Sequence, residues 1–366
     1  RTVFEGLDTR RCESPIHADG ARNISITGKG VIDGNGDAWR MVKKSKMAEG
    51  EWARLVAGGG VLSEDGKTWY PDEGFLTATK MSNMNVPQGD LTEEQWAEIK
   101  SFLRPNLVQI RHCENVLLEG VTFQNSPCWN VHPLLTKNLI VKDVFIRNPW
   151  YSQNGDAIDV DSCENVLIVD SRFDAGDDGI CIKSGKDADG RRRARPCKNL
   201  IVDNCTVYHG HGGFTVGSEM SGGVENIKVS NCRFLGTDVG LRFKSTRGRG
   251  GVVEDIWCRN IYMKDITSYG VIFNLYYAGV AESDKGEDGE EDLLPVDETT
   301  PEFKDIHFDH IVCSGAGQAI YINGLPELPI RGLDFHNSVF TARKGAEVHY
   351  AENVTFENVT VNGKAL

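Results

Sequence analysis

The sequence predicts an all-β fold, a parallel β-helix of stacked coils, on three observations. A tripeptide of a charged residue, Asn or Asp, and an aliphatic residue recurs along the chain. Runs of alternating apolar and polar residues follow most copies. Glycine-rich turns separate these runs, with little helical periodicity between them.

The tripeptide stands at Glu114-Asn115-Val116, Lys137-Asn138-Leu139, Glu164-Asn165-Val166, Lys198-Asn199-Leu200 and Glu225-Asn226-Ile227. It continues at Glu254-Asp255-Ile256, Lys304-Asp305-Ile306 and Glu352-Asn353-Val354, with a looser Arg331-Gly332-Leu333 and an early Arg22-Asn23-Ile24. The period of roughly two to three dozen residues is short for a propeller blade and lacks the leucine-rich consensus of a horseshoe. Alternation such as Val166 to Phe173 reads as a half-buried strand. Asn or Asp before each strand suits a turn, because these side chains bond locally and tolerate left-handed backbone. Parallel stacking puts equivalent residues about 4.8 Å apart, so four coils span about 15 Å. A sandwich or barrel would not need the repeated Asn-aliphatic register.

A solenoid need not be divided, so residues 1–366 are expected to form one domain with a large core. No apolar run is long enough to cross a bilayer, and no signal-peptide pattern stands at Arg1. The chain opens directly in strand-like sequence, so an upstream segment is expected to be missing. A net charge of −13 argues against nucleic acid as a bulk electrostatic partner. An anionic substrate would need a local basic patch, and Lys183, Lys186, Arg191 to Arg193, Arg195, Arg242, Lys244, Arg247 and Arg249 supply one. The 10 cysteines lack CxxC or zinc-ligand spacing, and Cys113, Cys163 and Cys197 recur at one phase. Stacked buried thiols are expected rather than disulfides, which leaves the compartment open.

Three segments interrupt the repeat. Residues 37–105 carry a capping box, Thr92-Glu93-Glu94-Gln95, with Trp96, Ile99 and Phe102 following at helical spacing; one short amphipathic helix is expected there. Residues 186–196 carry the basic run from Arg191 to Arg195, read as solvated surface or a substrate contact. Residues 282–302 are acidic and read as a solvated loop.

Four polar stretches fall at nearly the same phase of successive coils: Asn154-Gly155-Asp156, Gly176-Asp177-Asp178-Gly179, Gly210-His211-Gly212 and Arg242-Phe243-Lys244. Asp177 and Asp178 can face one groove only if the strand bends, which Gly176 and Gly179 permit. Clustered carboxylates repel, dividing them into acid and base as glycoside hydrolysis requires. A calcium site or a polar turn is the alternative for an isolated Asp pair. Arg242 and Lys244 share an outer face while Phe243 enters the core, and the two cations suit a sugar carboxylate. Alone, they would read as a surface pair. His211 can orient an acid; a metal site with His209 lacks further ligands.

Together, and in this order, the four motifs resemble the signatures of the polygalacturonase family, glycoside hydrolase family 28, in particular its bacterial exo-acting members. The resemblance implies a right-handed parallel β-helix that hydrolyses α-1,4-galacturonosyl linkages in pectin with inversion, without metal or cofactor. Residue by residue, it implies Asp177 as general acid and Asp156 with Asp178 as the pair that activates water. His211 would support the acid, and Arg242 and Lys244 would bind the uronate. Tyr277 would pack on the sugar, with Lys183 and Asn154 as further substrate contacts. Gly155 departs from the usual Thr. The one-coil spacing predicts carboxylates converging with an acid-to-base separation of about 6.5–9.5 Å. Replacing Arg242 or Lys244 is expected to weaken turnover far more than folding.

The function expected is an exo-acting polygalacturonase working from the non-reducing end, extracellular or periplasmic, with a pectic polysaccharide or oligogalacturonide as partner and no nucleic acid. The alternatives are an endo-acting enzyme, a hydrolase of rhamnogalacturonan or substituted pectin, a calcium-dependent pectate lyase, or a non-catalytic carbohydrate-binding solenoid. The oligomeric state is not legible in the sequence.

Overall fold

The computed structural model describes residues 1–83, 85–277, 279 and 293–366. Three strands make each early coil, and each strand pairs in parallel with its counterpart in the next coil. The first stack comprises Ile16–Asp19, Val108–Arg111, Val131–Leu134, Ile158–Asp161, Asp178–Lys183, Gly212–Val216 and Val239–Lys244. The second runs through Glu114–Glu119, Lys137–Lys142, Glu164–Val169, Cys197–Asp203 and Val224–Ser230. The third runs through Thr122–Gln124, Phe145–Arg147, Arg172–Ala175, Thr206–His209 and Arg233–Leu235. Later coils are continuous strands bent through all three faces, Val252–Asn274 and Glu302–Asn323 among them.

The tripeptide sets this register. Asn115, Asn138, Asn165, Asn199 and Asn226 all have φ between 53° and 59°, a conformation asparagine tolerates because its short amide bonds locally. Each amide also donates to the one on the coil before, as in Asn138 to Asn115 at 2.9 Å and Asn199 to Asn165 at 3.0 Å. The ladder satisfies side-chain groups in the direction of stacking. Gly332, in the looser copy, takes the same left-handed turn at φ 66°.

Inward residues form one continuous core, from Leu107 to Val361, with Phe243 stacked on Phe273 at 4.4 Å and Phe308 on Phe335 at 4.5 Å. Cys113, Cys163, Cys197, Cys205 and Cys232 are buried as free thiols, as their repeated phase suggested. Burial raises the thiols of Cys163 and Cys197, the latter to about 12, so they pack as small apolar groups.

The first insertion leaves the solenoid between Val31–Asp33 of the third stack and Val108–Arg111 of the first. It carries more helix than the sequence suggested: α1 (Glu49–Ala57), α2 (Glu73–Met81) and α3 (Glu93–Glu98). The expected capping box is present in α3. Ile99 and Phe102 are buried with Tyr70 and Phe75 in a small core of their own. Helix α1 starts at Ala48 without a side-chain cap, which removes its start signal. The basic run forms α4 (Asp187–Arg193). Residues 282–292 of the acidic loop lie outside the described residues.

Candidate active site

The site forms where the third stack turns into the first. Backbone bonds fix the rungs: Ala157 N–H donates to Asp178 O at 3.0 Å, and His211 N–H to Asp177 O at 2.7 Å. Asp156, the Asp177–Asp178 pair and His211 therefore occupy consecutive coils at one level. The same turn position in the first coil holds the 37–105 insertion. Arg40 and Arg104, both buried, tie that insertion down. Arg104 donates to Gln153 O at 2.8 Å and to Asn154 Oδ1 at 2.9 Å, so it shapes the loop that presents Asp156.

One oxygen from each of Asp156, Asp177 and Asp178 lies within 4.8 Å of the others. The carboxylates converge on one place, as the one-coil spacing implied. Alternation breaks as anticipated at Asp178. Ile180 is in the core, yet Asp178 reaches outward to accept from Thr215 Oγ1 at 3.0 Å, Arg242 Nη1 at 3.1 Å and Lys244 Nζ at 2.8 Å. Gly179 permits the bend by proximity: a Cβ there would stand 2.4 Å from Val207 Cγ1. Gly155 has an equally local cause, since a Cβ would stand 1.8 Å from the Ser152 hydroxyl. That hydroxyl donates to Pro149 O at 2.6 Å.

Burial acts on all three acids, and their neighbours decide the outcome. Burial raises Asp178, but Lys244 and Arg242 outweigh it and hold the carboxyl far below its ordinary range. Asp177 is also pushed up by burial and then brought below its ordinary value, chiefly by the hydrogen bond from His211. The His211 Nδ1 to Asp177 distance is 3.1 Å, and this bond raises the imidazole above its usual value. Asp156 behaves oppositely. Burial, Asp159 and Asp177 raise it well above its ordinary value, and among the described residues its buried Oδ1 has no hydrogen-bond partner. The surroundings thus favour the protonated form of Asp156 and the ionised forms of Asp177 and Asp178.

Asp159, which sequence reasoning passed over, joins this cluster. It is fully buried, neither oxygen has a hydrogen bond among the described residues, and Lys183 Nζ stands 3.5 Å away. Burial outweighs Lys183 and pushes the Asp159 carboxyl up to about 8. Lys183, expected to contact substrate, is itself buried, 3.7 Å from Glu219 and 4.7 Å from the ring centre of Trp129. Its charge thus serves the acid cluster from beneath. Tyr277 is exposed, with Lys244 Nζ 4.9 Å and Arg242 5.9 Å from its ring. Phe243 is buried as alternation required, but Lys244 is nearly buried too, because Asp178 draws it down. In the basic run, Arg191 donates to Gly248 O at 2.6 Å and Arg193 to Asp161 at 3.1 Å. Those two side chains are committed to the protein.

Residues 94–360 match the model of glycosyl hydrolases family 28. An exo-poly-alpha-D-galacturonosidase of Dickeya chrysanthemi is 31% identical over 70% of this chain and 40% of its own length. An endo-polygalacturonase of Pectobacterium carotovorum subsp. carotovorum is 28% identical over 72% of this chain and 54% of its own. The crystal structure of a hyperthermoactive exopolygalacturonase from Thermotoga maritima superposes with a TM-score of 0.77 at 29% identity, covering 100% of this chain and 75% of that one. The chain spans about half the length of the curated relatives it matches. With the family model covering most of the sequence and the coils superposing on a solved relative, the chain belongs to glycosyl hydrolase family 28.

Proposed function

We propose that this chain hydrolyses α-1,4-galacturonosyl linkages of pectic galacturonan with inversion, trimming from the non-reducing end. The observation that carries the reading is Asp178 held by Arg242 and Lys244 beside Asp156, Asp177 and His211. A uronate carboxylate placed against Arg242, Lys244 and Tyr277 would share their charge. It would draw on Lys244, a lesser support of the Asp177 charge than His211, and add a negative charge nearby. Both effects raise Asp177, so substrate binding favours the protonated form of the proposed general acid. As the uronate draws on Arg242 and Lys244, Asp178 becomes more basic and takes a proton from water, with Asp156 holding that water.

End-trimming is supported by the 37–105 insertion, which builds its own small core at the turn position the catalytic residues occupy in later coils. The Dickeya and Thermotoga relatives carry exo-acting names. A calcium-dependent lyase is disfavoured by charge: a cation bound at Asp178 would face Lys244 2.8 Å from the same carboxylate. The substrate would place the protein outside the cytoplasm; among the described residues no helix is long and apolar enough to cross a membrane. The test is product analysis on polygalacturonate over time. Monogalacturonate accumulating while viscosity falls slowly supports the reading; early viscosity collapse with a ladder of oligomers would make the enzyme endo-acting.

A further inference from the structure

A cavity of about 730 Å³ opens beside His211 on the flank formed by the third stack and its turns. Gly176, Gly210 and His211 border it, whereas Asp156, Asp177 and Asp178 do not. The volume is in the range that holds a small ligand. Its wall contains Trp150, which is 51% exposed, set edge-on against Tyr151 at 6.2 Å. A large aromatic left half bare in a concave polar wall offers a flat apolar face beside hydrogen-bonding groups.

The charges around that face select the ligand. Asp33, Asp37, Asp174 and Asp238 line the cavity against Lys46, Arg147 and His209, with Asp174 bonded to His209 at 2.9 Å and Asp37 paired with buried Arg40. Arg147 is partly engaged, its Nε donating to Gln124 at 2.9 Å. Ionised carboxylates only accept hydrogen bonds, so they suit the hydroxyls of a neutral sugar and repel a uronate. We propose that this cavity binds a neutral sugar branch, a pentose or hexose carried by the galacturonan beside the cleavage site, with Trp150 as its stacking face. The inference rests on the galacturonan reading of the neighbouring acids. His211 connects the two places: Nδ1 faces Asp177 at 3.1 Å and Nε2 faces Asp238, a cavity residue, at 3.9 Å.

The experiment compares a xylose-branched oligogalacturonide with an unbranched one of equal length. KM should be about fivefold lower for the branched substrate, the scale of one aromatic contact. Trp150→Ala should erase that difference while leaving kcat/KM on the unbranched substrate unchanged, and Trp150→Phe should restore part of it. Equal KM values in the parent enzyme, or equal losses on both substrates in Trp150→Ala, would overturn the proposal. A second arm records the Trp150 indole NMR signal in the Asp177→Asn variant. The branched oligomer should shift it and the unbranched one should not; no shift, or the same shift with both, also overturns the proposal. A selective shift in a protein that cleaves no galacturonan would sink the catalytic reading and leave the cavity assignment standing.

Discussion

Lys244 Nζ donates to Asp178 Oδ2 at 2.8 Å, although 66 residues separate the two in sequence. The contact joins an ionised carboxylate to a nearly buried cation, so it bears on stability as well as on chemistry. Lys244→Met should destabilise the protein by about 3 kcal/mol, the low end for breaking a buried pair, because Arg242 stays in place. Turnover on polygalacturonate should fall at least about 100-fold, as for loss of a positioned electrostatic group. Urea unfolding at pH 7 and steady-state kinetics check the two effects. This revises the expectation from sequence that turnover would suffer far more than folding. The sign with pH follows from the depressed Asp178 carboxyl: its contribution is present above the ordinary carboxylate range and is lost as pH falls through its lowered value. With the depression weakened in the variant, acid unfolding should begin at higher pH.

Asp156→Asn and Asp178→Asn should separate. Burial and its acidic neighbours favour the protonated form of Asp156, whose charge an amide preserves. Asp178→Asn instead leaves Lys244 and Arg242 facing an amide. Thermal denaturation at pH 7 should show Asp178→Asn much less stable than Asp156→Asn, with both slow on polygalacturonate. Equal stability losses would mean that Asp156 is ionised after all.

Asp159 gives a pH signature in the alkaline direction. Its folded carboxyl lies at about 8, above the unfolded value, so its stabilising contribution is full below about pH 4 and is lost as pH rises through 8. The melting temperature of Asp159→Asn should therefore gain on the parent protein between pH 6 and pH 9. Parallel melting curves across that range would contradict the buried, protonated assignment.

His211 titrates in the opposite sense to Asp178. Its raised value means that the pair with Asp177 stabilises fully below about pH 6.5 and fades as pH rises through the shifted value. The stability difference between the parent and His211→Gln should be largest below pH 6.5 and shrink above it. The alkaline limb of the parent's activity should disappear in the variant.

The solenoid was legible because its signals are local. Each register Asn marks a left-handed turn, and strand alternation sorts Phe243 inward from Arg242 and Lys244. The convergence of Asp156, Asp177, Asp178 and His211 followed from phase alone. Asp159 escaped because alternation in Ile158-Asp159-Val160-Asp161 assigns it to an outward face, where Lys183 and Cys181 of the next coil and the Asp156 turn lie against it. Arg104 escaped similarly, since nothing near it in sequence points to the Asn154 loop. Helix α2 could have been read from Asp72, whose side chain accepts from Phe75 N–H, whereas α1 has no such cap.

The first product released from polygalacturonate, read by proton NMR before its anomers equilibrate, tests the catalytic assignment most directly. Asp177 as acid and Asp178 as base on opposite sides of the sugar predict a saturated galacturonate born as the β anomer from an α linkage. An α anomer would show that a carboxylate attacks the sugar itself, and an unsaturated uronate would show elimination; either would contradict the account.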